Sequence, residues 1–248
     1  FLHTFENEIE KTVIENLSAI ADKKVEQIET YLKERLLDAH LLNDTSATRE
    51  AMLQFPKVFE THGVDSEVYR QLDAQYRDHF GRFVTDASYY DIFLISVKGD
   101  IVYTQAHESD FATNLFTGRY SHTGLSQVMR HALEHRESSI SDFEFYGPSY
   151  GAIAAFIGLP VIIDKQVVGV LALQFYSEHV FEVLSNNTGL GETGETVVAR
   201  LEDKNTALIM APLNTDPDAA LKRKIALNKP YSTALSNALS GKSGGAIM

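Results

Sequence analysis

The chain has 248 residues, of which 44% are apolar and 10% aromatic, enough to fill the core of one large domain or two small ones. Its 22 basic and 34 acidic side chains give a net charge of −12, which argues against a nucleic-acid-binding protein and against docking on an anionic membrane surface. The absence of cysteine excludes disulfides, thiolate nucleophiles and cysteine zinc sites, and it fits an oxidising compartment.

The longest apolar run does not reach the length of a transmembrane helix. It covers residues 152–163, about half of the ~20 residues that a spanning helix needs. The chain begins at Phe1, which is not a natural start, and carries no recognisable signal peptide. We therefore expect it to be a soluble part of a longer protein.

An apolar stripe with helical spacing runs along the first forty residues. It consists of Ile9, Val13, Leu17, Ile20, Val25, Ile28, Leu32 and Leu36. This spacing predicts one long helix, which at ~1.5 Å per residue would span roughly 55–60 Å. The stripe has two alternative uses, as the seam of a homodimer or as the face that packs against the rest of the chain.

Two shorter helices are predicted after the long one. The first covers residues 47–55 and is expected to end before Pro56, because the residue preceding a proline disfavours the helical conformation. The second covers residues 66–80. Residues 1–85 are therefore predicted to be a mainly helical segment.

The pattern changes to strands near Tyr89. Residues 91–96 and 101–104 flank a Lys-Gly-Asp turn and predict a β-hairpin. The elements predicted next are a loop, a helix over 125–135, strands over 139–145, 152–163 and 166–175, and a helix over 177–184. A hairpin, a helix and a three-strand meander in this order predict an antiparallel PAS-like module over residues 86–184.

The hairpin pattern recurs in the last part of the chain. Strands are predicted over 196–201 and 206–211, helices over 216–225 and 233–239, and the start of a strand over 244–248. Residues 185–248 are therefore predicted to be a second PAS-like module without its last strands. The predicted fold class is α+β, a long N-terminal helix followed by two antiparallel-sheet modules.

The glycines Gly189, Gly191 and Gly194 match the G-x-G-x-x-G pattern of dinucleotide-binding loops. Such a loop follows a strand and begins a helix, whose N-terminus faces the phosphates. The predicted order here is reversed, with a helix before the glycines and a strand after them. The pattern therefore favours a turn that opens the second module.

Residues 147–151 match the G-x-S-x-G pattern of serine hydrolases, with Ser149 as the nucleophile and His179 as a candidate base. That motif needs a sharp strand-to-helix turn, whereas a strand is predicted after Gly151. Glycine, proline and serine are also common in hairpin turns, and this is the favoured interpretation.

The residues His131, Glu134 and His135 match H-x-x-E-H on the predicted helix 125–135. Histidines four positions apart lie on one helix face, where they can hold zinc with the glutamate as a base. A third ligand is not evident in the sequence, and charged neighbours favour a solvated helix face. No metal and no cofactor are expected.

A longer set of residues resembles a known family. It comprises Asp142-Phe143, Tyr146, Pro148-Ser149, residues 154–157, Pro160-Val161, residues 168–174, the upstream Thr113-Asn114-Leu115, Gly118 and Tyr120, and the run 189–196. This set resembles the double-Cache sensor domains of bacterial transmembrane receptors over about residues 85–230. The resemblance implies two PAS-like (Cache) modules on a long helix, with residues 86–184 as the membrane-distal module.

The resemblance also implies a location and a role. The domain is expected on the extracytoplasmic face of the inner membrane, between two transmembrane helices, with an output domain in the cytoplasm. A histidine kinase is the favoured output because such receptors are numerous, and a chemotaxis signalling domain or a nucleotide cyclase is the alternative. This chain itself is not expected to be an enzyme.

The resemblance places a small-molecule pocket in the distal module, between the sheet and the loop-helix segment that covers it. The residues predicted to line it are Arg119, Tyr120, His122, Asp142, Phe143, Tyr146, Tyr150, Phe156 and Gln174. Arg119 is suited to clamp a carboxylate, and Asp142 to accept a bond from an ammonium or hydroxyl group. Family members that bind amino acids carry a tryptophan two residues after the arginine, where this chain has Ser121, so an amino-acid ligand is disfavoured and small carboxylates, amines or other metabolites stay open.

Three functions compete at this stage. The first is a sensor that binds a small molecule, and the second is a sensor that reads a periplasmic partner protein through its surface. The third is an enzyme of the hydrolase or metal type, which requires Ser149 exposed beside a histidine, or zinc at His131 and His135.

Overall fold

The computed structural model describes residues 2–244, with side chains from residue 8 onward. Its helices are α1 (Leu2–Asn43), α2 (Ser46–His62), α3 (Glu67–Asp86), α4 (Gly124–His135), α5 (Glu178–Ser185) and α6 (Thr233–Leu239). Its strands are β1 (Asp91–Ser96), β2 (Ile101–Thr104), β3 (Ser139–Ile140), β4 (Glu144–Tyr146), β5 (Ala152–Ile163), β6 (Gln166–Tyr176), β7 (Ala199–Asp203), β8 (Thr206–Ile209) and β9 (Lys224–Ala226). None of the helices within residues 2–244 is both long and apolar enough to cross a membrane.

The chain forms two compact units. Lys33–Ser177 is one, and the described residues of 1–32 and 178–248 are the other. The α+β class with a long N-terminal helix is confirmed, whereas the three-part division at residues 85 and 184 stays a prediction.

The long helix predicted from the apolar stripe is α1. Four stripe residues on it, Ile9, Val13, Leu17 and Val25, are between 44% and 55% exposed. The remaining stripe residues are partly covered. The homodimer seam stays a prediction for the exposed part of this helix.

The prediction that the second helix ends before Pro56 is wrong, because α2 continues through this proline to His62. Phe55 directly before it is fully buried and lies 5.6 Å from the Tyr69 ring and 5.0 Å from the Tyr103 ring, centroid to centroid. Proline in a helix interior removes one hydrogen bond, and this aromatic packing offsets the loss. Similarly, α3 runs past Phe80 to Asp86.

The unit Lys33–Ser177 is built on one antiparallel sheet with the strand order β2-β1-β6-β5-β3, and β4 pairs with β5. The predicted hairpin of β1 and β2 is confirmed. The single strand predicted over 139–145 is instead split into β3 and β4. The split lies at Ser141, whose hydroxyl oxygen accepts a hydrogen bond from the Phe156 backbone N–H at 3.0 Å and so takes the place of a strand carbonyl.

The two faces of this sheet are covered by different helices. Tyr103 on one face contacts the aromatic side chains of α2 and α3. The opposite face carries Phe93, Phe156 and Ala172, which share a core with the apolar side of α4. This second face is the one that the loop between β2 and α4 also covers, through Leu115 and Tyr120.

Replacing Gly158 with alanine is expected to destabilise this unit, because α4 lies directly on β5. A Cβ atom at Gly158 would lie 2.7 Å from the Val128 Cβ and 2.9 Å from the Val128 carbonyl oxygen. Such overpacking costs about 1–3 kcal/mol in the free energy of unfolding, which urea denaturation followed by circular dichroism measures. Gly147→Ala is the matched control, since nothing lies within 4 Å of its added Cβ. Equal unfolding midpoints for the two variants would contradict this packing.

The other unit contains the sheet β7-β8-β9 and a small core of Ile209, Leu213 and Ala219. The helix predicted over 216–225 is wrong, because this segment forms turns and then β9. Its backbone pairs with β8 instead: the Leu221 N–H donates to the Ile209 carbonyl at 2.8 Å, and the Ile209 N–H donates to the Arg223 carbonyl at 2.9 Å. The strand expected over 244–248 lies, from residue 245 on, outside the described residues.

In the same unit, Lys24 on α1 is a buried cation. Its Nζ donates to the Leu184 carbonyl oxygen at the end of α5 at 2.8 Å and to the Thr196 hydroxyl at 2.6 Å. Burial lowers the pKa of this amine. Lys24 therefore ties α1, α5 and the segment before β7 together.

Replacing Lys24 with methionine is expected to lower the free energy of unfolding by about 1–3 kcal/mol, because hydrogen bonds from a charged donor are lost and a buried carbonyl is left without a partner. Urea denaturation followed by circular dichroism measures the change. Lys23→Met is the control at the adjacent, exposed position, and an equal effect of both substitutions would show that the Lys24 bonds contribute nothing specific.

Candidate functional site

Two polar side chains, Asp91 and Gln174, lie at the edge of the core that α4 covers and point to the same face of the sheet as that core. Asp91 on β1 is the register partner of Gln174 on β6, and Gln174 is the register partner of Phe156 on β5. Directly paired residues of antiparallel strands point to the same face. Since Phe156 belongs to the α4-side core, Asp91 and Gln174 also face α4 and its preceding loop. All three side chains are fully buried.

The Asp91 carboxylate is held through one of its two oxygens. Its Oδ1 accepts hydrogen bonds from the backbone N–H groups of Ile92, Gln105 and Ala106 at 2.7, 2.8 and 2.9 Å. Its Oδ2 is buried and has no hydrogen-bond partner. The carboxylate is therefore fixed in place, with one oxygen left to accept a bond.

A second fully buried carboxylate, Asp110, comes from the loop that precedes α4. Its Oδ2 accepts a hydrogen bond from the Tyr146 hydroxyl at 2.5 Å, whereas its Oδ1 is buried without a partner. The Tyr146 ring centroid lies 4.7 Å from that of Phe156 and 6.3 Å from that of Tyr120. Asp91, Gln174 and Phe156 are register partners on three neighbouring strands. Tyr146 packs on Phe156 and therefore holds Asp110 near this set of residues.

A chain of hydrogen bonds connects Gln174 to the same loop. The Gln174 amide Nε2 donates to the Ser149 hydroxyl at 2.8 Å, and this hydroxyl donates to the Glu108 carboxylate at 2.8 Å. The Tyr90 hydroxyl donates to the other oxygen of Glu108. The Gln174 Oε1 is buried and has no partner. We call Asp91, Asp110 and Gln174, each with one unpartnered acceptor oxygen, the acceptor cluster.

The electrostatics of the acceptor cluster favour positive charge. The hydrogen bonds to Asp91, Asp110 and the nearby Glu108 come from backbone N–H, tyrosine and serine groups, all of them neutral. Burial raises the pKa of Asp91 to about 8, and the neighbouring Asp110 carboxylate adds to this rise. Burial likewise raises the pKa of Asp110. Both acids are therefore destabilised in their charged forms in the ligand-free protein.

Four of the residues predicted to line the pocket lie in or beside the acceptor cluster, namely Tyr120, Tyr146, Phe156 and Gln174. Of the other predicted residues, Arg119, His122 and Asp142 are exposed, and Tyr150 is 96% exposed. Phe143 packs at 5.7 Å against Phe175, which alternates with Gln174 and therefore faces the opposite side of the sheet.

The sequence pattern does not identify Asp91, Glu108, Asp110 and Ser149 as members of one site. Asp91 has a signal in the sequence, because it is an acidic residue at the start of an otherwise apolar strand. Glu108 and Asp110 lie in a polar loop that contains many such residues, so the sequence alone does not distinguish them. The sequence predicts Ser149 only as a hydrolase nucleophile or as a turn residue.

The three short motifs are accounted for by local structure. Ser149 is buried in the turn between β4 and β5 and bonds to Glu108 and Gln174 rather than to a histidine. Gly189 and Gly191 lie in turns between α5 and β7, with φ values of 84° and 77°. His131 and His135 lie on α4 with ring centroids 4.7 Å apart, and among the described residues no group of three or more His, Cys, Asp or Glu is placed to hold a metal ion.

Comparison with solved structures identifies the fold. The sensor domain of the V. cholerae histidine kinase DctB aligns with a TM-score of 0.54 and 13% identity, covering 71% of this chain and 60% of that chain. The ligand-binding domain of the Pseudomonas fluorescens chemoreceptor CtaA, in complex with L-isoleucine, aligns with a TM-score of 0.53 and 13% identity, covering 92% of this chain and 78% of that chain. The corresponding domain of the Campylobacter jejuni chemoreceptor Tlp3, in complex with 4-methylisoleucine, aligns with a TM-score of 0.53 and 8% identity, covering 71% of this chain and 63% of that chain.

These alignments confirm the predicted fold. The chain spans less than two thirds of the length of the DctB and Tlp3 structures. No protein-family model matches the sequence, and no curated protein matches it at a significant level.

Proposed function

We propose that this chain, which has the Cache-like fold of receptor sensor domains, is the extracytoplasmic part of a membrane receptor and binds a small molecule between its larger sheet and α4. The acceptor cluster is the observation that carries the proposal. Buried acceptors without partners are costly, and a ligand with matching donors offsets that cost. Functional sites are where such costs are commonly found, because the cluster gains its partners only when the ligand is bound.

The proposed output is a change in the population of two receptor conformations. A ligand that binds one conformation more tightly shifts the equilibrium toward that conformation. A useful receptor needs a coupling free energy of ~1–3 kcal/mol between the ligand site and the output domain. In this proposal, α1 carries the signal toward flanking membrane helices, and its exposed apolar residues form the seam of a homodimer. A cytoplasmic histidine kinase is the favoured output domain, with a chemotaxis signalling domain or a nucleotide cyclase as the alternative.

A thermal-shift screen of the purified chain tests this function. The panel contains primary amines, amino acids, small carboxylates, sugars and divalent metal salts. A compound present at 100 times its Kd is expected to stabilise the protein by ~2.7 kcal/mol.

The hit is expected to be lost in Gln174→Leu, which keeps the approximate side-chain volume but removes the amide. It is expected to persist in Tyr150→Ala, the control at an exposed position of the adjacent turn. A panel in which no compound stabilises the protein would contradict small-molecule sensing and would support recognition of a periplasmic partner protein.

A further inference from the structure

We propose that the ligand carries a primary ammonium group, which the three unpartnered oxygens of Asp91, Asp110 and Gln174 bind. This inference rests on the proposed sensing function and specifies its ligand class. The three atoms are Asp91 Oδ2, Asp110 Oδ1 and Gln174 Oε1, and each of the three side chains is fully buried.

The three side chains lie on the α4 side of the larger sheet. Asp91 and Gln174 are directly paired on neighbouring strands and face the same side of the sheet. Asp110 is hydrogen-bonded to Tyr146 on the same side of the sheet. The Tyr146 ring contacts Phe156, which is the register partner of Gln174. Asp110 also lies two residues after Glu108, which the hydrogen bonds of Ser149 connect to Gln174.

The number and type of these atoms match one chemical group. All three are acceptors when the two carboxyl groups are ionised, so the missing partner is a donor. A primary ammonium has three N–H donors and no acceptor, whereas hydroxyl groups and carboxylic acids bring additional lone pairs into a site that already has an excess of them. A quaternary ammonium has the same charge but no N–H donor.

The negative charge of the ionised carboxylates in the acceptor cluster also favours an ammonium group. Uncompensated buried carboxylates are costly, and a paired cation removes much of that cost. A ligand carboxylate would be repelled by the ionised forms of Asp91 and Asp110. Arg119, the basic residue predicted to bind a ligand carboxylate, is exposed. Its guanidinium carbon lies 5.6 Å from the centroid of the Tyr120 ring.

The aromatic residues beside the acceptor cluster indicate the rest of the ligand. Tyr120, Tyr146 and Phe156 are buried around it and present apolar ring surfaces. Small-molecule sites combine such apolar walls with a few polar groups that orient the ligand. A primary amine with a short aliphatic or arylalkyl chain meets both requirements.

Matched ligands test the proposal on the unmodified protein. The probes are primary alkylamines of increasing chain length and 2-phenylethylamine, each compared with its N,N,N-trimethyl analogue and with the carboxylic acid of the same chain length. By calorimetry at pH 8, the best primary amine is expected to bind at least ~10-fold more tightly than its trimethyl analogue, since that factor corresponds to ~1.4 kcal/mol, about one charge-assisted hydrogen bond. The carboxylic acids are expected not to bind.

Variants locate the binding group. Asp110→Asn is expected to weaken amine binding at least ~10-fold, whereas Asp142→Asn, at an exposed carboxylate that the sequence also nominated for this role, is expected to leave it unchanged. Circular dichroism checks that each variant is folded. If Asp110→Asn does not fold, Gln174→Leu replaces it, and the same loss of amine binding is expected.

The outcomes separate this inference from the function on which it rests. If carboxylates or sugars bind and amines do not, the ammonium assignment is wrong while small-molecule sensing stands. If trimethyl analogues bind as tightly as primary amines, the three-oxygen assignment is wrong. If no compound of any class binds, the proposed function fails as well.

Discussion

Replacing Asp91 with asparagine is expected to stabilise the ligand-free protein at pH 8. The folded protein holds a proton on Asp91 up to a pKa of about 8, compared with an ordinary value of 3.8. Between these two values the folded state binds more protons than the unfolded state, so the free energy of unfolding falls as the pH rises. A single such group contributes a slope of about 1.4 kcal/mol per pH unit and a total on the order of 5 kcal/mol.

Asparagine is the suitable replacement because it preserves the bonds that Asp91 makes. Its Oδ1 can still accept from the three backbone N–H groups, while its NH₂ occupies the place of the unpartnered Oδ2 and carries no charge. The titratable groups that interact electrostatically with Asp91 are Asp110 from the loop before α4, Tyr146 from β4 and Tyr103 from β2, the last of which lies on the opposite face of the sheet. Burial raises the pKa of both tyrosines, so neither titrates in this pH range.

Urea denaturation between pH 5 and pH 8 measures this effect. The unmodified protein is expected to lose stability as the pH rises, and the Asp91→Asn variant to lose less, so that the two curves diverge toward pH 8. Asp142→Asn is the control for removing one acidic charge at an exposed position. Parallel curves for the unmodified protein and Asp91→Asn would show that Asp91 ionises normally in the folded state.

Amine affinity is expected to rise steeply with pH, which is the second large effect. An ammonium group binds the charged form of Asp91, whereas at pH 6 this acid holds a proton that binding must release. Affinity therefore increases by up to tenfold per pH unit for each proton released, or up to about 100-fold between pH 6 and pH 8 for one proton. Alkylamines themselves stay protonated over this range, since the pKa of a lysine amine is about 10.4.

Calorimetry in two buffers of different ionisation enthalpy measures the proton release directly. At pH 7 the apparent binding enthalpy is expected to depend on the buffer, with close to one proton released per amine, or more if Asp110 also ionises. The Asp91→Asn variant is expected to lose most of this release together with most of the affinity. Buffer-independent enthalpies and a flat pH profile would contradict the assignment of the ammonium group to Asp91.

Together these predictions describe a site whose chemistry lowers the stability of the empty protein. The same unpartnered oxygens that recognise the ligand are costly without it, so a substitution that stabilises the domain is expected to abolish its response. Stability and function are commonly opposed in this way at binding sites.

The sequence by itself determined the local architecture. The spacing of apolar residues predicted α1, and the hairpin of β1 and β2 followed from two apolar runs around a Lys-Gly-Asp turn, because both signals lie within short stretches of chain. The resemblance to double-Cache domains rested on a longer pattern around β5 and β6, and the solved structures confirm the fold that it implied. Tyr146, Phe156 and Gln174, which lie in or beside the acceptor cluster, were predicted from that resemblance.

Only the tertiary structure decided where elements end and which side chains meet. Helix α2 continues through Pro56 because Phe55 packs against aromatic residues from α3 and β2, and residues 224–226 form a strand because β8 offers them backbone partners. The acceptor cluster combines β1, the loop before α4 and β6. Strand register puts Asp91 beside Gln174, and burial distinguishes Asp110 from the exposed Asp142. Register and burial depend on contacts between distant parts of the chain, which local residue patterns do not encode.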